Sequence, residues 1–134
     1  MNILTTKPET LFQALSDPTR IRIIRLMLIS GKEVCLCEIT DSLKESQTKL
    51  SRHLKVLRQS GLLSAKKEGR WIYHRLVTDQ NHFLHLHGII KDLPDIDDIY
   101  ATDLLNFQAR LCLREDGRCQ TNETNLTKNT SVNT

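Results

Sequence analysis

The sequence predicts a mainly α-helical fold carrying one β-hairpin, a winged helix-turn-helix, and three observations predict it. Two short stretches of helical periodicity stand close together, a basic segment of strand-forming residues follows them, and further helical stripes flank the whole. At 134 residues the chain has the length of one domain with one modest core. Hydrophobic residues at 39%, charged residues at 26% and only 4% aromatics describe a globular chain whose helices pack through Leu and Ile.

The elements follow in order. Pro8 to Leu15 reads as a short opening helix. Asp17 then offers an N-cap with Pro18 at the first helical position, and the next helix places Ile21, Ile24 and Leu28 on one face before stopping at Ser30 and Gly31. Leu36, Ile39 and Leu43 recur at helical spacing over about two turns. Ser46 caps another helix whose Leu50, Leu54 and Leu57 keep that spacing until Gly61. The period then changes: Leu62 to Lys67 and Trp71 to Val77 are strand-like, and Glu68-Gly69-Arg70 is a short glycine-containing link of the kind that closes a hairpin. Helical spacing resumes after Asp79, Pro94 interrupts it, and Ile96, Tyr100, Leu104, Phe107 and Leu111 form the stripe of a final helix. Residues 1–119 are therefore expected to form the folded domain. The Asn- and Thr-rich residues 120–134 have little to bury and are expected to be disordered.

The net charge of +3 is unevenly spread. Residues 44–75 hold nine basic side chains against Glu45 and Glu68, a local charge of +7, while residues 76–134 carry −4. A polyanion is drawn to the middle of the chain. On the helix from Gln47 to Ser60, Thr48, Ser51, Arg52, Lys55 and Gln59 fall opposite the leucine stripe. Gln and Arg can make paired hydrogen bonds to purine edges, Ser and Thr fit either base, and Lys takes phosphates, so Gln47, Thr48, Ser51, Arg52 and Lys55 form the candidate double-stranded DNA-reading face. Lys66, Lys67 and Arg70 at the hairpin tip are the candidate contacts to flanking backbone. His53 sits at the edge of the leucine side and reads as a packing or hydrogen-bonding residue, and Trp71 and Tyr73 as strand-packing residues.

No run of eighteen apolar residues occurs and the first residues lack the pattern of a secretory signal, so the expectation is a cytoplasmic protein with no membrane partner. Four cysteines in that reducing compartment are read as free thiols or ligands rather than as a disulfide framework. Cys35 and Cys37 lie where the first helix of the helix-turn-helix begins. On a regular helix such neighbours point about 200° apart, so both can grip one ion only if the first turn unwinds or the pair sits just before the helix. Soft thiolates favour thiophilic ions. A thiol enzyme is not expected: its motif is Cys-x-x-Cys after a strand, and neither a phosphate-cradling glycine loop nor a Ser-His-Asp order is present.

Four segments in order, LSDPTRIRIIRLM, EVCLCEI, SQTKLSRHLKVLRQSGLL and KKEGRWIYHRL, together resemble the ArsR/SmtB family of winged-helix repressors across Leu11 to Leu76, and the cysteine pair resembles its arsenic-sensing branch. The resemblance implies a homodimer joined through its first and last helices, an inverted-repeat operator, no permanent cofactor, and release from DNA when As(III) or Sb(III) binds three thiolates. The sequence departs from that branch's commonest pattern, because the position three after Cys37 is Thr40. Cys119 and Cys112 are the available third ligands, with Cys119 favoured for its reach at the edge of the tail; two thiolates with a solvent or buffer ligand is the remaining option. A sensor of Cd, Pb or Zn, or of thiol oxidation, is the alternative on the same fold. The family's zinc site on the last helix needs a histidine there, and residues 97–113 contain none; His82, His85 and His87 lie earlier and read as hydrogen-bonded or exposed.

Overall fold

The computed structural model describes residues 6–119; the expected disorder of residues 120–134 lies outside them. In chain order the elements are α1 (Pro8–Ala14), α2 (Pro18–Ser30), β1 (Val34–Cys35), α3 (Leu36–Leu43), α4 (Gln47–Gln59), β2 (Leu63–Glu68), β3 (Trp71–Leu76), α5 (Asn81–Asp92) and α6 (Ile99–Leu111). This is a winged helix: α3 and α4 are the helix-turn-helix, and β2 and β3 are the wing.

The local signals explain most boundaries. Asp17 Oδ1 accepts from the N–H groups of Thr19 at 2.8 Å and Arg20 at 3.2 Å, filling two of the donors that a helix start leaves without partners. Gly31, left-handed at φ 68°, closes α2 by donating to Met27 O at 2.9 Å. Ser46 Oγ accepts from Lys49 N–H at the start of α4. Leu50, Leu54 and Leu57 are buried, as their spacing predicts.

Four expectations need correction. The buried face of α2 is Ile23, Ile24, Leu26 and Met27, whereas Ile21 and Leu28 are only half-buried, because α2 is covered from several directions rather than along one stripe. The wing is slightly displaced, with β2 running Leu63–Glu68 and β3 Trp71–Leu76 around a Gly69-Arg70 turn. A third strand, β1, pairs antiparallel with β3 in the order β1-β3-β2, setting Val34 opposite His74 and Cys35 opposite Tyr73. Two residues are too few to show a period in sequence. Finally, α6 begins at Ile99 rather than near Ile96, which is 84% exposed. The Asp95 carboxylate accepts from Tyr100 N–H at 3.0 Å and Ala101 N–H at 2.9 Å and so fixes where that helix starts.

The main core joins all six helices, with Leu11, Ile24, Met27, Ile39, Leu54, Phe83 and Phe107 among its members. Two polar staples tie α6 and α5 to it. Arg22 forks onto Asp103 at 2.8 and 2.9 Å and donates to Leu43 O, binding α2, the end of α3 and α6 together. Arg25 donates to Ile90 O and Leu93 O at the end of α5. A second, smaller cluster of Cys35, Tyr73 and Cys119, flanked by Cys37 and Trp71, lies at the start of α3.

Candidate functional site

Cys35 ends β1 and is the N-cap of α3, with extended backbone at φ −103° and ψ 164°. Cys37 is the second residue of the helix proper. The extended cap turns the Cys35 side chain back toward Cys37, and the two Sγ atoms lie 3.4 Å apart. The pair thus sits at the very edge of the helix, and its sulfurs converge without any unwinding of the first turn. Of the two ways to bring them together, the structure comes nearer the second, with Cys35 just before the helix and Cys37 in its first turn.

Cys119 completes the group, its Sγ 3.0 Å from that of Cys37. All three sulfurs lie within 4.8 Å of one another, close enough to share one ion through bonds of about 2.3 Å. Far from reaching in from a loose tail, Cys119 is fully buried and anchored. Asp116 at φ 53° and Gly117 at φ 74° turn the chain, the Glu115–Arg118 bridge closes the turn, and Cys119 N–H donates to the Tyr73 hydroxyl at 2.7 Å. Cys112 is not brought to the cluster: as the C-cap of α6 it is exposed, with Sγ directed at Gln108 O at 3.6 Å.

Two arginines from the far end of the chain hold this site. Arg110 of α6 donates from Nε to Asp41 Oδ2 at 2.7 Å and reaches the sulfurs of Cys37 and Cys119 with Nη2, each at 3.5 Å. Arg114 forks onto Glu38 at 2.6 and 2.8 Å and donates to Glu33 O at 2.7 Å. Glu38, fully buried, also accepts from Cys35 N–H at 3.1 Å. Its charge is therefore paired and hydrogen-bonded, the condition for burying a carboxylate. The Cys37 thiol is held well below its ordinary range by contacts from Cys119 and Cys35 and by the Arg110 charge. Cys35 is pushed up by its contacts with Cys119 and Cys37 and by burial. Cys119 is drawn down by Cys35 but raised overall by Cys37 and burial. The three sulfurs thus face one another and the Arg110 guanidinium in a nearly dry pocket, a donor set suited to a thiophilic ion.

Sequence reasoning missed Tyr73, Arg110, Asp41, Arg114 and Glu38. Glu38 alone had a local signal, standing three residues after the cap in the spacing of a capping box. His53 hydrogen-bonds through Nδ1 with Arg20 at 3.1 Å, as a packing histidine should.

The α4 and wing residues stand apart from this buried group. Gln47, Thr48, Ser51, Arg52 and Lys55 are exposed along one side of α4, and Lys66, Lys67 and Arg70 are exposed at the wing. Arg70 lies over the Trp71 ring at 4.9 Å. A cleft of about 670 Å3 connects the two regions, since Cys35 and Cys37 line it together with Gln47, Ser51 and Arg70. Among the described residues no helix is long and apolar enough to cross a membrane.

A comparison with known families matches residues 17–65 to the bacterial regulatory protein, arsR family. The chain is 46% identical over 69 residues to the arsenical resistance operon repressor of Escherichia coli, a match covering 52% of this chain and 58% of that protein. It is 41% identical over 78 residues to an arsenic resistance transcriptional regulator of Pseudomonas putida, covering 58% of this chain and 67% of that one. An uncharacterized HTH-type transcriptional regulator of Methanocaldococcus jannaschii is 39% identical over 74 residues, 55% of this chain and 82% of its own length. The chain belongs to the arsR family of bacterial transcriptional regulators.

Proposed function

We propose that this protein is a non-enzymatic, cytoplasmic, homodimeric repressor that binds an inverted-repeat operator and releases it when As(III) or Sb(III) is captured by Cys35, Cys37 and Cys119. The convergence of three sulfurs within 4.8 Å at the start of α3 carries this reading. Arsenical resistance repressors among its relatives support it. Gln47, Thr48, Ser51, Arg52 and Lys55 read the major groove, and Lys66, Lys67 and Arg70 hold the flanking backbone. Phe12 of α1, 60% exposed, and Leu105 of α6, 67% exposed, present apolar surface for the partner protomer.

Coupling between ion and DNA does not run through unwinding of α3. An ion held by three sulfurs fixes the N-terminus of α3 to the Cys119 turn at the spacing its bonds require, and α3 is the support on which α4 packs. Ligand and operator then favour different placements of that support. The test is a mobility-shift titration with arsenite. Cys35→Ser, Cys37→Ser and Cys119→Ser are expected to hold DNA normally and ignore arsenite, while Cys112→Ser behaves as wild type. A normal arsenite response in Cys119→Ser removes this ligand set. The 3.0 Å separation of Cys37 and Cys119 favours one second reading, a sensor of thiol oxidation. Release by peroxide with no release by arsenite selects it, and release by cadmium alone assigns the site to divalent ions.

A further inference from the structure

The sulfurs are not alone in their pocket. One cation touches two of them: Arg110 Nη2 is 3.5 Å from the sulfur of Cys37 and 3.5 Å from that of Cys119. Arg110 is 4% exposed, so water does little to screen it from the sulfurs. Its Nε end is held by Asp41, whose side chain is 26% exposed against 3% for that of Arg110. The guanidinium is therefore oriented by an acid on its wetter side and directed at sulfur on its drier side. The other nearby arginine, Arg114, is spent on buried Glu38.

The geometry points to Arg110 as a selectivity residue that favours complexes keeping negative charge on the sulfurs. It rests on the ligand set proposed above. Charge bookkeeping gives the direction. Counted from the fully protonated site, a reference that cancels between the two ions, arsenous acid reacts with three thiols by breaking three As–O bonds and forming three As–S bonds, each hydroxide leaving as water with a thiol proton, and the product is neutral. A divalent ion such as Cd(II) displaces three protons from the same thiols and leaves a complex of charge minus one. Oxidation states do not change in either case. The apo site is common to both reactions, so the effect of Arg110 on the ratio of the two affinities depends only on how it meets a bound anion or a bound neutral group. A guanidinium shut off from water at 3.5 Å, its other end held by Asp41, stabilises the first and has little hold on the second.

Arg110 thus tilts this cluster toward divalent ions and against trivalent arsenic, and removing its charge sharpens arsenic selectivity. The measurement is a competition between Cd(II) and arsenite on the full chain, followed by sulfur-to-metal charge-transfer absorption, in wild type, Arg110→Gln, Arg110→Lys and Asp41→Asn. In Arg110→Gln the ratio of cadmium to arsenite affinity is expected to fall at least about tenfold, equivalent to about 1.4 kcal/mol. Arg110→Lys keeps most of the ratio. Asp41→Asn breaks the same bridge between α3 and α6 but leaves the cation, so its ratio holds or rises, and it supplies the test even if Arg110→Gln does not fold. Parallel loss of both affinities in Arg110→Gln, or a fall of the ratio in Asp41→Asn, makes Arg110 a purely structural tie and overturns the inference alone. Wild type showing no charge-transfer band with either ion removes the ligand set and this inference together.

Discussion

The α4 face and the thiol pocket are built on opposite principles. Along α4 the chemistry comes from one face of a single helix, held by the leucines behind it, with polar side chains exposed to water. The pocket assembles Cys35, Cys37, Glu38 and Asp41 from the start of α3, Tyr73 from the wing, and Arg110, Arg114 and Cys119 from the end of the chain. The contrast teaches where each region is vulnerable. Altering the α4 face changes what it binds and leaves the fold alone. Altering the pocket changes the fold and the ligand together, because its charges are buried and mutually paired.

The largest effect tests that asymmetry. Glu38→Ala strands the Arg114 guanidinium, whose side chain is 11% exposed, and removes the acceptor of Cys35 N–H. A broken buried pair costs about 3 kcal/mol or more, and a urea unfolding curve is expected to show that loss. Stability within about 0.5 kcal/mol of wild type, the figure for ordinary surface changes, erases the distinction between the regions.

On the other side, Arg52→Ala is expected to lose about 1–3 kcal/mol of operator binding, with specificity relaxed at the base pair it reads. Lys55→Ala is expected to weaken all sequences alike and reduce the salt slope by about one. Neither should move the urea midpoint. Fluorescence anisotropy against salt concentration measures both, and unchanged affinity in Arg52→Ala takes that residue out of the reading face.

His74 lies between the regions, on β3 and against the cleft, and it sharpens the comparison through pH. Burial, and then the charge of Arg58, which donates to Nε2 at 2.7 Å, lower its pKa from 6.5 to about 4. The folded state therefore takes up the proton later than the unfolded chain. Stability from this group is complete above pH 6.5 and is lost as pH falls from there toward 4, by up to about 3 kcal/mol. In His74→Gln the urea midpoint should fall less steeply over that window, and an identical slope refutes the assignment.

The same contrast explains what the sequence made legible. The order of helices, the caps at Asp17 and Ser46, the leucine stripe of α4 and the basic wing are local patterns, and each reads directly from neighbouring residues. The pair Cys35 and Cys37 was visible for the same reason, though not its geometry, because the extended cap that lets the sulfurs meet depends on β1 pairing with β3. Nothing local links Tyr73 to Cys119, 46 positions away, or Asp41 to Arg110, 69 positions away. Those contacts belong to the packing of α6 and its following turn onto α3. Cys112 and Cys119 could not be separated in sequence, since what distinguishes them is a left-handed turn at Asp116 and Gly117 and a tyrosine on another element.

The smallest expected effect bears on that last distinction. Tyr73→Phe keeps the ring that Arg118 covers at 4.7 Å and removes only the hydroxyl that accepts Cys119 N–H. A buried N–H left without a partner costs about 1–3 kcal/mol, but the turn carrying Cys119 hinges on Gly117 and can shift to relieve part of it. The loss should therefore fall on the third sulfur rather than on the core: arsenite affinity drops about tenfold while operator affinity and the urea midpoint stay near wild type. Cys119→Ser should then lose little more when combined with Tyr73→Phe than alone, since both act through the same atom. Additive losses in the double variant mean that the hydroxyl serves the wing instead, and that Cys119 is positioned by Arg110 without it.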